Sequence, residues 1–148
     1  DDKLKEKCLE MIVSLPPEPV YIEADPRRIW RVVENLFSNV CKYALEGTRV
    51  YLEIRRVRQD DREIAVFTMK NISAQALNIR ADELTERFIR GDISRSTEGS
   101  GLGLSIAQNL TTLQKGTFEI YLDGDLFKVQ IGFSCLDVPQ PEIEIQMR

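Results

Sequence analysis

Between residues 29 and 44 the apolar side chains Ile29, Val33, Leu36, Phe37, Val40 and Ala44 recur at helical spacing. This predicts one long amphipathic helix with a core-facing stripe centred on Val33. Its start is marked by Asp25, a side-chain cap, and by Pro26 at the first helical position, where a missing N–H costs nothing. Gly47 predicts its end. Elsewhere the period is two. Val50, Leu52 and Ile54 alternate with Tyr51, Glu53 and Arg55, a half-buried strand, and residues 64–69 read as its more buried partner across a polar turn at 59–62. Phe118, Ile120 and Leu122, then Phe127, Val129, Ile131 and Phe133, predict a hairpin turning at Asp123-Gly124. Residues 9–15, stopped by Pro16 and Pro17, and the short run 20–22 are further strand candidates.

Two stretches break the pattern. Residues 102–113 carry Leu104, Ala107 and Leu110 on one face and predict a second long helix. Before it, periodicity fades from Asn71 to Ser100, apart from a possible short helix over 82–90. About 30 residues with little regular structure in a compact domain predict a functional loop or lid. The order is strands, helix, strand pair, loop, helix, hairpin. It does not alternate strand and helix regularly, so the expected class is α+β, a two-layer sandwich with a mixed, mostly antiparallel sheet and about three helices on one face.

At 148 residues the chain fits a single domain over 1–148. The charged residues 1–10 read as the remnant of an upstream segment, and 137–148 as a tail. The net charge of −4 argues against nucleic acid as a partner, since that binding depends on neutralising phosphate. The absence of histidine removes Ser-His-Asp and Cys-His nucleophiles, His-ligated zinc, and any phosphohistidine on this chain itself. Cys8, Cys41 and Cys135 are odd in number and widely spaced, which fits neither a metal site nor a disulfide framework and suggests a reducing compartment.

Three groups of residues carry candidate chemistry. Asn35, Asn39, Lys42 and Tyr43 fall within an arc of about 100° beside the apolar stripe of the first long helix. Amide oxygens suit Mg²⁺, an ammonium suits phosphate, and an aromatic ring suits a base. Taken alone, such a face is most often merely solvated. Arg87, Phe88 and Arg90 form a second group, two cations able to offset phosphate charge around an apolar anchor. The third is Gly99-Ser100-Gly101-Leu102-Gly103 at the start of a helix, where glycines admit a ligand and free N–H groups suit an anion. The polar residues 94–98 ahead of it exclude a dinucleotide fold, and no Gly-Lys-Ser/Thr follows to make a Walker loop.

Together and in this order, these groups resemble the ATP-binding catalytic domain of sensor histidine kinases, in the superfamily shared with gyrase, Hsp90 and MutL. ENLFSNVCKYA at 34–44 looks like the N box of that family, LTERFIRGD at 84–92 like its F box, and EGSGLGLSI at 98–106 like its G2 box. The resemblance runs from about residue 20 to residue 134 and implies a Bergerat-type ATP-binding fold with ATP and Mg²⁺ as cofactors. It implies Asn39 as the Mg²⁺ ligand, Asn35 beside the phosphates, Lys42 on phosphate and Tyr43 near adenine. Arg90, with Arg87, would approach the γ-phosphate. Gly99, Gly101 and Gly103, with the N–H groups of Leu102 to Leu104, would wrap the phosphates.

One box departs. Where the family has Asp-x-Gly-x-Gly, its G1 box, this chain reads Asn71-Ile72-Ser73-Ala74-Gln75, with neither the acid nor the glycines. Asn71 still offers an oxygen to the adenine amino group, without charge assistance. The implied partners are an upstream His-bearing dimerisation domain, absent from this chain, and a response regulator. The implied setting is the cytoplasmic side of a membrane-anchored, homodimeric bacterial sensor, with the isolated domain a monomer. Two alternatives stand beside this reading: a degenerate interaction module that has lost nucleotide binding, and a serine protein kinase of the anti-sigma type.

Overall fold

The structure, a computed structural model, describes residues 2–77 and 102–136. The expected helix at 82–90, the tail from 137, and the site residues Arg87, Arg90, Gly99 and Gly101 lie outside the described residues. The described elements are α1 (Asp2–Glu6), β1 (Glu10–Ser14), α2 (Pro26–Tyr43), β2 (Arg49–Gln59), β3 (Arg62–Ile72), α3 (Leu102–Leu113), β4 (Thr117–Asp123) and β5 (Leu126–Ser134). The strands form one sheet in the order β1-β2-β3-β5-β4, with β1 parallel to β2 and every other pair antiparallel. This is the α+β sandwich that the sequence predicts.

Register explains why one face of the sheet is apolar. Leu52 pairs with Met69, Ile54 with Phe67, Val129 with Met69, Ile131 with Phe67 and Ile120 with Val129, so these side chains all project toward the helices. They join Val32, Leu36 and Val40 of α2 and Leu104 and Ala107 of α3 in a single core. The other face is polar, and there Lys70 lies 5.4 Å from the ring centroid of Tyr51 and Lys128 5.2 Å from that of Tyr121. Asp60 and Asp61 make the two-residue turn between β2 and β3, both at positive φ as the twist of such a hairpin requires.

The cap of α2 forms as its sequence predicts: the Arg27 N–H donates to Asp25 Oδ1 at 2.9 Å. The buried stripe, however, runs along Val32, Leu36 and Val40, so its centre is Leu36 and not Val33. The helix also stops at Tyr43, well before Gly47. Ala44 takes an extended conformation and bridges to Ser73, the Leu45 N–H donates to Ile72 O at 2.7 Å, and the Ala74 N–H donates to Tyr43 O at 2.8 Å. Pairing with the end of β3 thus outcompetes one more helical turn. The run 20–22 contributes a single bridge, Ile22 to Cys135, instead of a strand. Leu4 and Leu9, within the charged opening segment, are buried in the core.

α3 runs antiparallel to α2. The Asp25 N–H at the start of α2 donates to Gln114 Oε1 just past the end of α3 at 2.7 Å, while Gly103 at the start of α3 faces Asn35 in the middle of α2. The C-terminal half of α2 therefore extends beyond the first turn of α3 and lies against the end of β3.

Candidate functional site

Three structural ends meet on one side of the molecule: the C-terminal half of α2, the last residues of β3 and the first turn of α3. The first two bring polar side chains that the sequence singles out, and the third brings Gly103. On α2, Asn35 is half-buried and its Nδ2 is fully enclosed without a hydrogen-bond partner among the described residues. Tyr43, one residue from the helix end, has its hydroxyl buried and likewise unpartnered. At the end of β3, Asn71 is only 3% exposed, points to the helix side with Met69 and Phe127, and has an Oδ1 without a partner among the described residues. A buried polar atom without a partner costs about 1–3 kcal/mol, and these three have none among the described residues.

The first turn of α3 supplies close approach. A Cβ added to Gly103 would sit at ordinary contact distance, 3.6 Å from Asn35 Oδ1 and 3.7 Å from its carbonyl oxygen, so the first turn of α3 lies beside the middle of α2 and the glycine leaves open the space that a Cβ would fill. Leu104 is fully buried and anchors the turn in the core, while the N–H groups at the helix start lack intrahelical acceptors. Asn39, half-exposed on the same side of α2 as Asn35, offers an amide oxygen. Among the described residues no group of three or more His, Cys, Asp or Glu side chains could hold a metal ion. A cation here would take Asn39 together with oxygens of a ligand, which suits Mg²⁺ bound through phosphates.

Lys42 sits differently. It is exposed and lines a polar cavity of about 250 Å³ with Lys3, Glu6, Lys7, Ser38 and Cys41, between α1 and α2. A second cavity of the same size lies between the N-terminal half of α2 and the sheet, lined by Ile29, Val32, Val33, Phe67, Ile131 and Phe133 among others. It contains none of the predicted site residues, and an apolar lining offers phosphate nothing. Sequence reading missed Gln108, whose buried Oε1 also lacks a partner. Its signal was a polar residue on the apolar stripe of α3. Thr68 has an unpartnered hydroxyl too, but alternation along β3 turns it to the opposite face from Asn71.

Residues 24–135 match the family described as histidine kinase-, DNA gyrase B-, and HSP90-like ATPase. The chain belongs to that family. Among curated relatives of this ATPase domain, the sensor histidine kinase WalK of Bacillus subtilis is 31% identical over 114 residues, covering 76% of this chain and 18% of WalK. The probable sensor histidine kinase TcrY of Mycobacterium tuberculosis is 33% identical over 110 residues, covering 73% of this chain and 22% of TcrY. The domain therefore spans about a fifth of the length of these relatives, and it falls with the histidine-kinase branch of the family. Solved structures share the fold: full-length ShkA in complex with AMPPNP, with a TM-score of 0.73 and 20% identity over 95% of this chain and 28% of that one, and the mycobacterial sensor histidine kinase MprB, with 0.68 and 21% over 93% of each. No helix among the described residues is long and apolar enough to cross a membrane.

Proposed function

We propose that this domain binds Mg²⁺-ATP between the C-terminal half of α2, the end of β3 and the first turn of α3, and presents the γ-phosphoryl group to a histidine on a separate dimerisation segment. The acceptor cannot be on this chain, which has no histidine. The observation that carries the reading is the convergence of Asn35 Nδ2, Tyr43 Oη and Asn71 Oδ1, all buried and unpartnered, on the side where Gly103 opens α3.

The roles follow from chemistry. Asn71 Oδ1 accepts from the exocyclic amino group of adenine, and Tyr43 packs beside the base with its hydroxyl toward the ligand. Asn35 Nδ2 donates to phosphate oxygen, Lys42 adds positive charge at the rim, and Asn39 gives its oxygen to Mg²⁺. Gly99, Gly101 and Gly103 with the N–H groups of Leu102 to Leu104 wrap the phosphates, and Arg90, with Arg87, approaches the γ-phosphate. When bound, Mg²⁺ neutralises charge on the phosphate oxygens during transfer. The domain works inside a longer, homodimeric, membrane-anchored sensor, on its cytoplasmic side, and that sensor passes its phosphoryl group to a response regulator.

Calorimetric titration of ATP and ADP, with and without Mg²⁺, tests this. Magnesium-dependent binding that is lost in Asn39→Ala and weakened in Asn71→Ala is the expected result. No heat at millimolar nucleotide from folded protein would replace the proposal with an interaction module that does not bind nucleotide. Mixing the domain with its His-bearing segment and radiolabelled ATP should give acid-labile phosphohistidine. Acid-stable phosphoserine would mean a serine kinase.

A further inference from the structure

The residue at the base-reading position is an amide where a carboxylate would fix the base, and its surroundings leave it unpinned. Asn71 is buried at the end of β3, its register partner is Phe127, and its Oδ1 has no hydrogen-bond partner among the described residues. Two residues on, Ser73 accepts at its Oγ from the Gln75 N–H at 3.2 Å and makes no hydrogen bond to Asn71 Oδ1. Among the described residues nothing at Oδ1 dictates which end of the amide a ligand meets. A carboxylate only accepts, whereas an amide accepts at Oδ1 and donates at Nδ2, and a half-turn about χ2 exchanges the two. Purines differ at this edge in the same sense: adenine carries a donating amino group at position 6, and guanine an accepting oxygen there.

We infer that Asn71 makes this site a reader of both purine types, so that 6-oxopurine nucleotides bind it alongside adenine nucleotides. This rests on the proposed placement of the base at Asn71. One orientation of the amide pairs with the 6-amino group and the other with the 6-oxo group. The 6-amino group gives Oδ1 its missing donor, and the 6-oxo group takes the Nδ2 donor, so each base makes one neutral hydrogen bond to the amide. A carboxylate at the same place would meet the 6-oxo group with acceptor against acceptor and would reject it.

Titrations of ADP, GDP and IDP into the domain with Mg²⁺ test the inference, IDP serving as the 6-oxo probe without the 2-amino group of guanine. The expected result for the unaltered protein is an IDP affinity within about tenfold of that for ADP, because each base makes one neutral hydrogen bond to the amide. In Asn71→Asp, measured at about pH 8 so that the carboxyl is ionised, the preference for ADP over IDP should grow by at least about thirtyfold, as a charge-assisted pair forms with one base and is denied to the other. ADP binding that exceeds IDP binding by more than about a hundredfold in the unaltered protein overturns the inference and leaves the nucleotide site standing. An unchanged ratio in Asn71→Asp with ADP still bound has the same meaning. Absence of binding by all three nucleotides removes the proposed function itself. The comparison in the unaltered protein decides the matter even if the variant fails to fold.

Discussion

The ammonium of Lys7 donates to the carbonyls of Lys42 and Ala44, at 2.9 and 3.2 Å, and closes the C-terminal end of α2 with a cation from outside the helix. The last carbonyls of a helix lack intrahelical donors and carry its negative pole, so an ammonium there satisfies both deficits. The Gly47 N–H in turn donates to Lys7 O at 2.9 Å, and the Ala44 to Ser73 bridge ties the same junction to the end of β3. The opening segment, the end of α2 and the strand that carries Asn71 are therefore held at one point.

Replacing Lys7 by Met keeps the aliphatic stem and removes the two donated hydrogen bonds. The expected cost is about 1 kcal/mol, read from the urea midpoint. Amide exchange at Leu45 and Ala74, which bond across the same junction, should speed up more than exchange in β4 or β5. Uniform acceleration across the domain would mean that Lys7 acts on global stability and not on this junction.

Two glycines should separate steric from conformational cost. A Cβ on Gly116 would lie 2.7 Å from two ring carbons of Phe133 and 3.0 Å from Thr111 Cγ2, so Gly116→Ala forces the core apart and should cost about 1–3 kcal/mol. Gly124 has open space around it but a φ of +62°, so Gly124→Ala should cost about 1 kcal/mol from backbone strain alone, and Gly124→Asn less. Urea denaturation of the three variants checks this order.

Gly103 should trade function against stability. An added Cβ there meets Asn35 only at ordinary van der Waals distance, and alanine is the better helix former. Gly103→Ala should therefore leave stability within about 0.5 kcal/mol of the parent, or raise it. Nucleotide affinity should fall at least about tenfold if the space beside Asn35 belongs to the phosphates. Unchanged affinity would move the phosphates away from this helix start.

The Cys41 thiol is pushed above its ordinary range by burial, with smaller opposing effects from Lys3 and Lys7. Thiolate is the reactive form, so Cys41 should alkylate more slowly than the exposed Cys8 at about pH 7, and the gap should narrow only as pH rises above the ordinary cysteine range. Because the folded thiol ionises at higher pH than the unfolded one, the stability it contributes is complete below the unfolded value and is lost as pH rises through the folded value. Mass spectrometry of iodoacetamide-treated protein distinguishes the two cysteines. Equal rates at neutral pH would contradict the shielding of Cys41.

What the sequence determined by itself was whatever depends on neighbours within a turn or a pleat. Asp25 and Pro26 marked the start of α2, alternation gave the strands of both hairpins, and the spacing of Asn35, Asn39 and Tyr43 placed them on one side of a helix. These signals are local because cap hydrogen bonds and side-chain periods are local. Where the helix ends was not legible, because Ala44 leaves it to pair with Ser73, a residue distant in sequence. The buried centre of the stripe moved from Val33 to Leu36 for the same kind of reason: the sheet and α3 together, not the period, choose which side of α2 is covered. Nor could any pattern announce that Leu4 and Leu9 join the core, that β1 runs parallel to β2, or that the oxygen of Gln108 is buried unpaired. Each depends on burial by groups far along the chain. Residue types and spacing named the candidates, and tertiary packing alone enclosed polar atoms of Asn35, Tyr43 and Asn71 with no hydrogen-bond partner among the described residues.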